Sequence, residues 1–445
     1  MLDLSPDYAV DAVVGRGGMG TVYRARTAAG APVAIKVLDH AADDALDRFS
    51  REVRTLAALR HPAVVAYLDH GARAGVHYLV TEWLEGETLA DRLARDRLSV
   101  DDVLALARRV ADALAACHAR GIVHRDLKPS NLFLVGGAPA QVKLLDFGIA
   151  FVDGATHGNT RTGTLLGTPE YMAPEQARGE RGIDARADVF SLGCVLYEAL
   201  TASSPFRGDH MVGVLAKILF ADPAPVDALC PEAPPALCDL ITRMLAKDRR
   251  ARPGDGAAVR EHLDAISATH AAVAGAPGAG FAVTERNLVS VVVAAPRSAT
   301  GPGSDPSNLP TVVDARPALA RLRAAATAID VAFEQLAEGA IVATVAGRAH
   351  AVDQAAAAAR CAMTMRAELG PGAIAAATGL GVVAAGGLGD VIDRAVSLLA
   401  EHDEIRLDAP TAGLLDGRID VRAGDRAFVH DGLADAVETT RRLLG

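Results

Sequence analysis

The sequence predicts an α+β chain in two parts, and three observations carry that prediction. Strand-like runs alternate with glycines through the first 90 residues, segments of helical period follow to about His270, and a second patterned region begins after a stretch of small residues. The expected order is a β-rich lobe over 1–82, a helical lobe over 87–270, a flexible linker over 271–283, an α+β sheet domain over 284–425 and a helical tail over 426–445.

The 445 residues suit two or three domains, at a usual size of ~150 residues each. Half of the residues are hydrophobic but aromatics are 4%, so lean aliphatic cores are expected. A formal charge of -10 argues against a nucleic-acid partner, which needs a basic surface. The run Arg249, Arg250, Arg252 reads as a solvated helix end or a structural cluster.

Cys117, Cys194, Cys230, Cys238 and Cys361 form no CxxC pair and read as reduced, mostly buried thiols. No HExxH or Cys/His cluster suggests structural zinc. The opening Met1 to Asp7 lacks the basic-then-apolar order of a secretory signal, so a cytoplasmic location is expected. No membrane span is expected either: the uncharged Gly370 to Gly389 is rich in Ala and Gly, and reads as two strands, Ile374 to Thr378 and Leu380 to Ala385.

In the first lobe, Gly15-Arg16-Gly17-Gly18-Met19-Gly20-Thr21-Val22 follows the apolar Ala12 to Val14 and leads into another strand. Glycines there let backbone close over phosphates. A dinucleotide fold would need a helix next, but two strands follow, Thr21 to Arg26 and Pro32 to Leu38. Alternation puts Ala34 and Lys36 on one face of the second strand and Val33, Ile35 and Val37 on the other. A helix from about Asp44 to Leu59 would place Glu52 on its apolar stripe, with Lys36 as the cation an inward carboxylate needs.

The long helix Val100 to His118, with its stripe Val103, Leu106, Val110 and Leu114, leads to His124-Arg125-Asp126-Leu127-Lys128-Pro129-Ser130-Asn131. The proline argues for a loop. The strand Val142 to Leu145 then ends at Asp146-Phe147-Gly148. Singly, Asp126 reads as a loop cap, Asn131 as a turn residue and Asp146 as an Asx turn. Together and in this order they supply a base and hard oxygen ligands, which suits Mg2+ and phosphoryl transfer.

Residues 8 to about 267 resemble the protein kinase family, its bacterial Ser/Thr members in particular. The resemblance implies a bilobal kinase fold in which Val14, Gly15, Arg16, Gly17, Gly18, Met19, Gly20, Thr21 and Val22 contact ATP. Lys36 would hold the α- and β-phosphates and pair with Glu52. Thr81 would be the gatekeeper, Glu82 and Leu84 would offer backbone groups to adenine, and Val22 and Ala34 would sandwich the ring. Asp126 would accept or orient the substrate proton, Lys128 would neutralise the γ-phosphate, and Asn131 and Asp146 would ligate Mg2+, with Mn2+ the alternative metal.

Lys128 and Asn131, with Thr168 in Gly167-Thr168-Pro169, resemble the Ser/Thr class, so protein substrates with aliphatic hydroxyls are implied. Glu175 in Ala173-Pro174-Glu175 and Arg252 would pair, and Asp188 would brace the catalytic loop. Thr160, Thr162 and Thr164, in a segment rich in Gly, Asp and Asn, are candidates for activating autophosphorylation, with Arg125 near the loop to meet a phosphate. The expected function is a Ser/Thr kinase of bacterial signal transduction; the alternatives are a nucleotide-sensing pseudokinase scaffold and a bifunctional kinase and cyclase.

Residues 285 to about 423 resemble the class III nucleotide cyclase domain, in Glu285 to Val291, Leu336 to Ala343, Thr378 to Gly381 and Gly389 to Ala395. The metal-binding aspartates of that family are matched by Ala295 and Glu338, and its late-helix asparagine and arginine by Asp393 and Ser397. With those functions altered, a degenerate regulatory or dimerisation module is expected, and a homodimer is one arrangement it would allow. Chains of this arrangement often continue into an NTPase and helical-repeat region, which leaves a longer parent protein open.

Overall fold

The computed structural model describes residues 7–17, 20–38, 59–73, 76–146, 169–270, 286–295, 316–325, 331–337, 339–346, 350–382, 387–399, 404–415, 421–422 and 427–429. The chain divides into two compact units, the first being Met1–Ala173, Arg181–Pro205 and Val226–Pro277, the second Pro174–Glu180, Phe206–Pro225 and Gly278–Gly445.

The first unit opens with strands β1 (Tyr8–Gly17), β2 (Gly20–Thr27), β3 (Pro32–Leu38), β4 (Tyr67–Arg73) and β5 (Val76–Glu82). They form an antiparallel sheet in the order β1-β2-β3-β5-β4. As alternation requires, Val33, Ile35 and Val37 share one buried cluster with Ala25, Tyr78 and Val80. A second small sheet joins β6 (Gly86–Thr88), β7 (Leu132–Val135) and β8 (Val142–Leu144). Gly86 makes the turn into this sheet from the run Glu82-Trp83-Leu84-Glu85 after β5, the hinge between lobes that the kinase resemblance implies, with a φ of +148°, and a Cβ there would sit 2.1 Å from the Leu134 carbonyl oxygen.

The helix Val100–His118 has the predicted bounds. Ser99 caps its start by accepting from the Asp102 amide, and Val103, Leu106, Val110 and Leu114 are fully buried. The helix Ala185–Thr201 is buried along nearly its whole length, and helices Pro235–Met244 and Gly256–His270 pack in the same unit.

In the second unit, β9 (Arg286–Ala294), β10 (Val331–Gln335), β11 (Ile341–Val345), β12 (Ile374–Val382), β13 (Ile405–Leu407), β14 (Val421–Arg422) and β15 (Ala427–Val429) form one sheet, ordered β10-β11-β9-β12-β13-β15-β14. β12 and β13 are parallel, and the other neighbours are antiparallel. Val292 and Ala294 pack with the helix Ala351–Leu369 through Ala355, Ala358, Ala359 and Ala362, whose small side chains permit close approach. Asp393, on the helix Gly387–Ser397, accepts from Lys217 Nζ at 2.6 Å within this unit.

The two strands expected around residues 374–385 are a single strand, Ile374–Val382. Pairing with β9 runs through Gly379 without a break, because that glycine makes room for a side chain instead of a turn. A Cβ on it would lie 2.7 Å from Arg394 Nη2, and the guanidinium donates there to the Thr378 carbonyl and the Asp408 carboxylate, both at 2.9 Å. The tail expected to be helical from residue 426 instead contributes the strand β15, which pairs with β13 and β14. The linker 271–283, the helix expected at Asp44 to Leu59 except for Leu59 itself, the loop 296–310 and the helix expected at Gly432 to Leu444 lie outside the described residues.

Candidate active site

β1 and β2 close toward each other with Gly15 opposite Val22, Arg16 opposite Thr21 and Gly17 opposite Gly20, around Gly18 and Met19, which lie outside the described residues. Val14 falls at a register shift in β1 and is half exposed. β3 lies on the other side of β2, with Ala34 opposite Arg24 and Lys36 opposite Val22. The glycine-bearing hairpin and Lys36 thus belong to neighbouring strands.

Lys36 Nζ donates to Asp146 Oδ2 at 2.8 Å. Glu52, its expected partner, lies outside the described residues, as do Thr160, Thr162, Thr164 and Thr168.

The loop after the long helix gathers three of the predicted residues. Lys128 Nζ reaches both Asp126 carboxylate oxygens, at 3.0 and 2.8 Å. The Asn131 side-chain amide donates to Asp126 Oδ2 at 3.0 Å and to the Asp126 carbonyl at 2.7 Å. Pro129 starts the short turn Pro129–Asn131 that swings Asn131 back onto Asp126. The Asn131 carbonyl in turn accepts from the Leu145 amide at 2.8 Å, which ties this loop to the segment carrying Asp146.

A second tie between those segments is His124, fully buried, whose Nε2 lies 2.9 Å from the Leu145 carbonyl. The buried Asp188 carboxylate accepts the amides of His124 at 2.7 Å and Arg125 at 2.8 Å and contacts His118 Nε2 at 2.9 Å. Arg125 and Asp146 have positive φ of 63° and 32°. Such backbone costs roughly 1–3 kcal/mol per residue, and the anchors on either side hold it. The Asp188 brace was legible in the sequence; the positive φ values were not, because neither residue is glycine.

Thr81 pairs with Ala34 on one side and Tyr67 on the other. The Glu82 side chain turns away from the hinge to accept from Lys143 Nζ at 2.5 Å and the Ala66 amide at 2.7 Å. Leu84 lies in the short irregular run between β5 and β6. Tyr67 was not singled out by the sequence. It is 7% exposed, and among the described residues its hydroxyl has no hydrogen-bond partner. Burial, then the charges of Asp146 and Asp69, push its pKa upward.

Glu175 is buried in the helix Pro174–Ala177. Arg252 is buried too, donating to the Ala246, Arg186 and Lys247 carbonyls with its guanidinium 4.9 Å from the Phe190 ring centre. All five cysteines are free and buried.

Among the described residues no group of three or more His, Cys, Asp or Glu side chains forms a self-sufficient metal cage. Asn131 and Asp146 are instead a two-residue oxygen set joined through Leu145. That fits Mg2+, which takes one or two protein oxygens and completes its shell with phosphates and water.

The protein kinase domain model matches residues 8–263, more than half of the chain. Serine/threonine-protein kinase Pkn1 of Myxococcus xanthus is 41% identical over 288 residues, covering 62% of this chain and 41% of that protein. Pkn3 of the same organism is 37% identical over 67% of this chain and 56% of its own length, and PknB of Mycobacterium tuberculosis is 37% identical over 68% and 49%. The chain thus spans about half the length of these relatives. With the kinase domain model matched across both the glycine-bearing hairpin and the Asp126 loop, the chain belongs to the protein kinase family.

Proposed function

We propose that this chain transfers the γ-phosphoryl group of ATP to serine or threonine hydroxyls of protein substrates. The observation that carries this reading is the convergence of Lys128 and Asn131 on the Asp126 carboxylate, beside a segment whose Asp146 is held by Lys36. A carboxylate flanked by a cation and an amide is poised to orient a hydroxyl and take its proton.

In this reading the acceptor oxygen attacks the γ-phosphorus as its proton passes to Asp126. The bond from that phosphorus to the bridging oxygen breaks, and ADP leaves. Lys128 offsets charge on the transferring group and Lys36 on the α- and β-phosphates. Asn131 and Asp146 would hold Mg2+, or Mn2+ in its place, which supplies positive charge against the phosphate oxygens. The glycine hairpin covers the phosphates, Val22 and Ala34 flank adenine, and Glu82 and Leu84 offer it backbone groups. Glu175, Asp188 and Arg252 are structural. Radiolabel transfer from ATP to a generic protein acceptor tests the reading: wild type labels it and Asp126→Asn does not. No transfer with either metal would leave a nucleotide-sensing scaffold.

Autophosphorylation at Thr160, Thr162 or Thr164 belongs to the same proposal, supported by their place upstream of Thr168 in the sequence. Mass spectrometry after incubation with Mg-ATP tests it; an unmodified segment in a fully active enzyme overturns it. For residues 284–425 we propose a cyclase-like regulatory or dimerisation module without cyclase activity, since Ala295 stands where the resemblance calls for an acidic ligand. Formation of cyclic AMP or cyclic GMP by the purified chain would refute that. Among the described residues no helix is long and apolar enough to cross a membrane, and a cytoplasmic location accompanies this reading, with cell fractionation as its check.

A further inference from the structure

Trp83 is the chain's single tryptophan and lies in the hinge run between Glu82 and Leu84. Two contacts pin its ring. The indole N–H donates to Glu85 Oε1 at 2.6 Å. The Arg24 guanidinium lies over the ring, 4.9 Å from its centre, with Nη2 3.9 Å from the same Glu85 oxygen. Among the described residues Arg24 Nε, which is buried, has no hydrogen-bond partner, and the ring and Glu85 are the groups that face this end of the side chain.

Arg24 sits on β2 two residues beyond Val22, hence on the same face of the sheet, and pairs in register with Ala34. Val22 and Ala34 are the residues assigned above to the adenine ring. The strand that carries one wall of that site is therefore fastened by a cation–π stack to the hinge that supplies its edge.

We propose that the Arg24–Trp83 stack is a positioning device for the nucleotide, setting the spacing between β2 and the hinge before ATP arrives. This inference rests on the nucleotide site proposed above. Neither side chain is given contact with the reacting atoms, so the stack acts on binding and leaves chemistry alone. A preset spacing lowers the ordering cost of binding, and its loss falls on KM for ATP.

The test is steady-state kinetics with ATP as the varied substrate, joined to the emission of Trp83, which reports on one site because it is unique. Arg24→Ala should raise KM for ATP about three- to tenfold with kcat within about twofold of wild type. Arg24→Lys keeps a cation over the ring and should recover part of that loss. Titration with Mg-ADP should change wild-type emission saturably. Arg24→Ala should start from a red-shifted emission and saturate at higher nucleotide. Wild-type protein that binds no radiolabelled ATP in equilibrium dialysis would overturn the nucleotide site and the stack's role with it. Binding by wild type, with KM for ATP unchanged in Arg24→Ala or with Lys no better than Ala, would overturn the stack alone.

Discussion

Lys36 Nζ stands 2.8 Å from Asp146 Oδ2, joining a strand of the first sheet to a residue 110 positions later. The pair partly satisfies two charges that the proposed reaction needs for other partners, the lysine for phosphate and the aspartate for metal. Lys36→Met and Asp146→Asn should each lower phosphoryl transfer by about 10²-fold or more. Both act on one constellation, so the double variant should fall well short of the product of the two losses. Radiolabel transfer at saturating ATP measures all three.

Asp188 gives the loop its shape. Its buried carboxylate accepts two successive backbone amides and contacts His118. Asp188→Ala leaves these buried donors without their acceptor, and should destabilise the unit by about 3 kcal/mol as well as lowering activity. Asp188→Asn keeps the size but has one carbonyl oxygen to offer, so its loss should be smaller. Urea denaturation of both variants, followed by circular dichroism, ranks them.

How far these features were legible depends on their range. The helix Val100–His118 was legible to the residue, because its apolar stripe is a local signal. So was the division of β3 into a buried face and a Lys36 face. Asp126, Lys128 and Asn131 could be read as a group because one short loop carries all three. Less accessible was anything decided between distant segments: the grip of Lys143 on Glu82 and the placement of Tyr67 beside Thr81 have no periodic signature. Gly379 misled in the opposite sense. Glycine in a strand signals a turn or a close approach equally well, and the neighbour that decides, Arg394, lies on a separate helix.

Burial governs the thiols. It pushes Cys117 and Cys361 up to about 12 and Cys238 to about 11, and it raises Cys194 and Cys230 as well. A thiol held protonated and covered reacts slowly. Native protein at pH 8 should therefore release less than about one equivalent of thiolate product with Ellman's reagent, while the unfolded chain releases five.

Asp112 gives the acid side of the stability profile a specific contributor. Partial burial would by itself raise its pKa, but hydrogen bonds from Arg260 at 2.7 Å and His61 at 3.1 Å, with their charges, outweigh it and hold the carboxyl below its usual range. A carboxyl lowered on folding adds stability above its unfolded pKa, and the contribution fades as pH falls through the folded one. Asp112→Asn should thus cost stability at neutral pH and lose that difference from wild type below about pH 4. Urea midpoints at a series of pH values measure this; a difference that persists undiminished into acid would contradict it.

Gly86 tests the turn from the hinge into the small sheet. It combines a φ of +148°, which other residues rarely adopt, with a Leu134 carbonyl oxygen only 2.1 Å from where a Cβ would be. The obstruction is backbone of β7, already paired with β6, and so cannot swing aside as a side-chain end would. Gly86→Ala must either break the Gly86–Val135 end of that pairing or move the hinge, and should cost about 2–4 kcal/mol. For a unit of this size that corresponds to a fall of roughly 5–15 °C in its melting temperature. Gly121, with a φ of +73° but nothing within 4 Å of a Cβ, is the control. Gly121→Ala bears the conformational cost without the collision, at about 1 kcal/mol. Differential scanning calorimetry of the two variants separates steric contact from backbone preference. Equal losses would mean that the Leu134 contact contributes nothing.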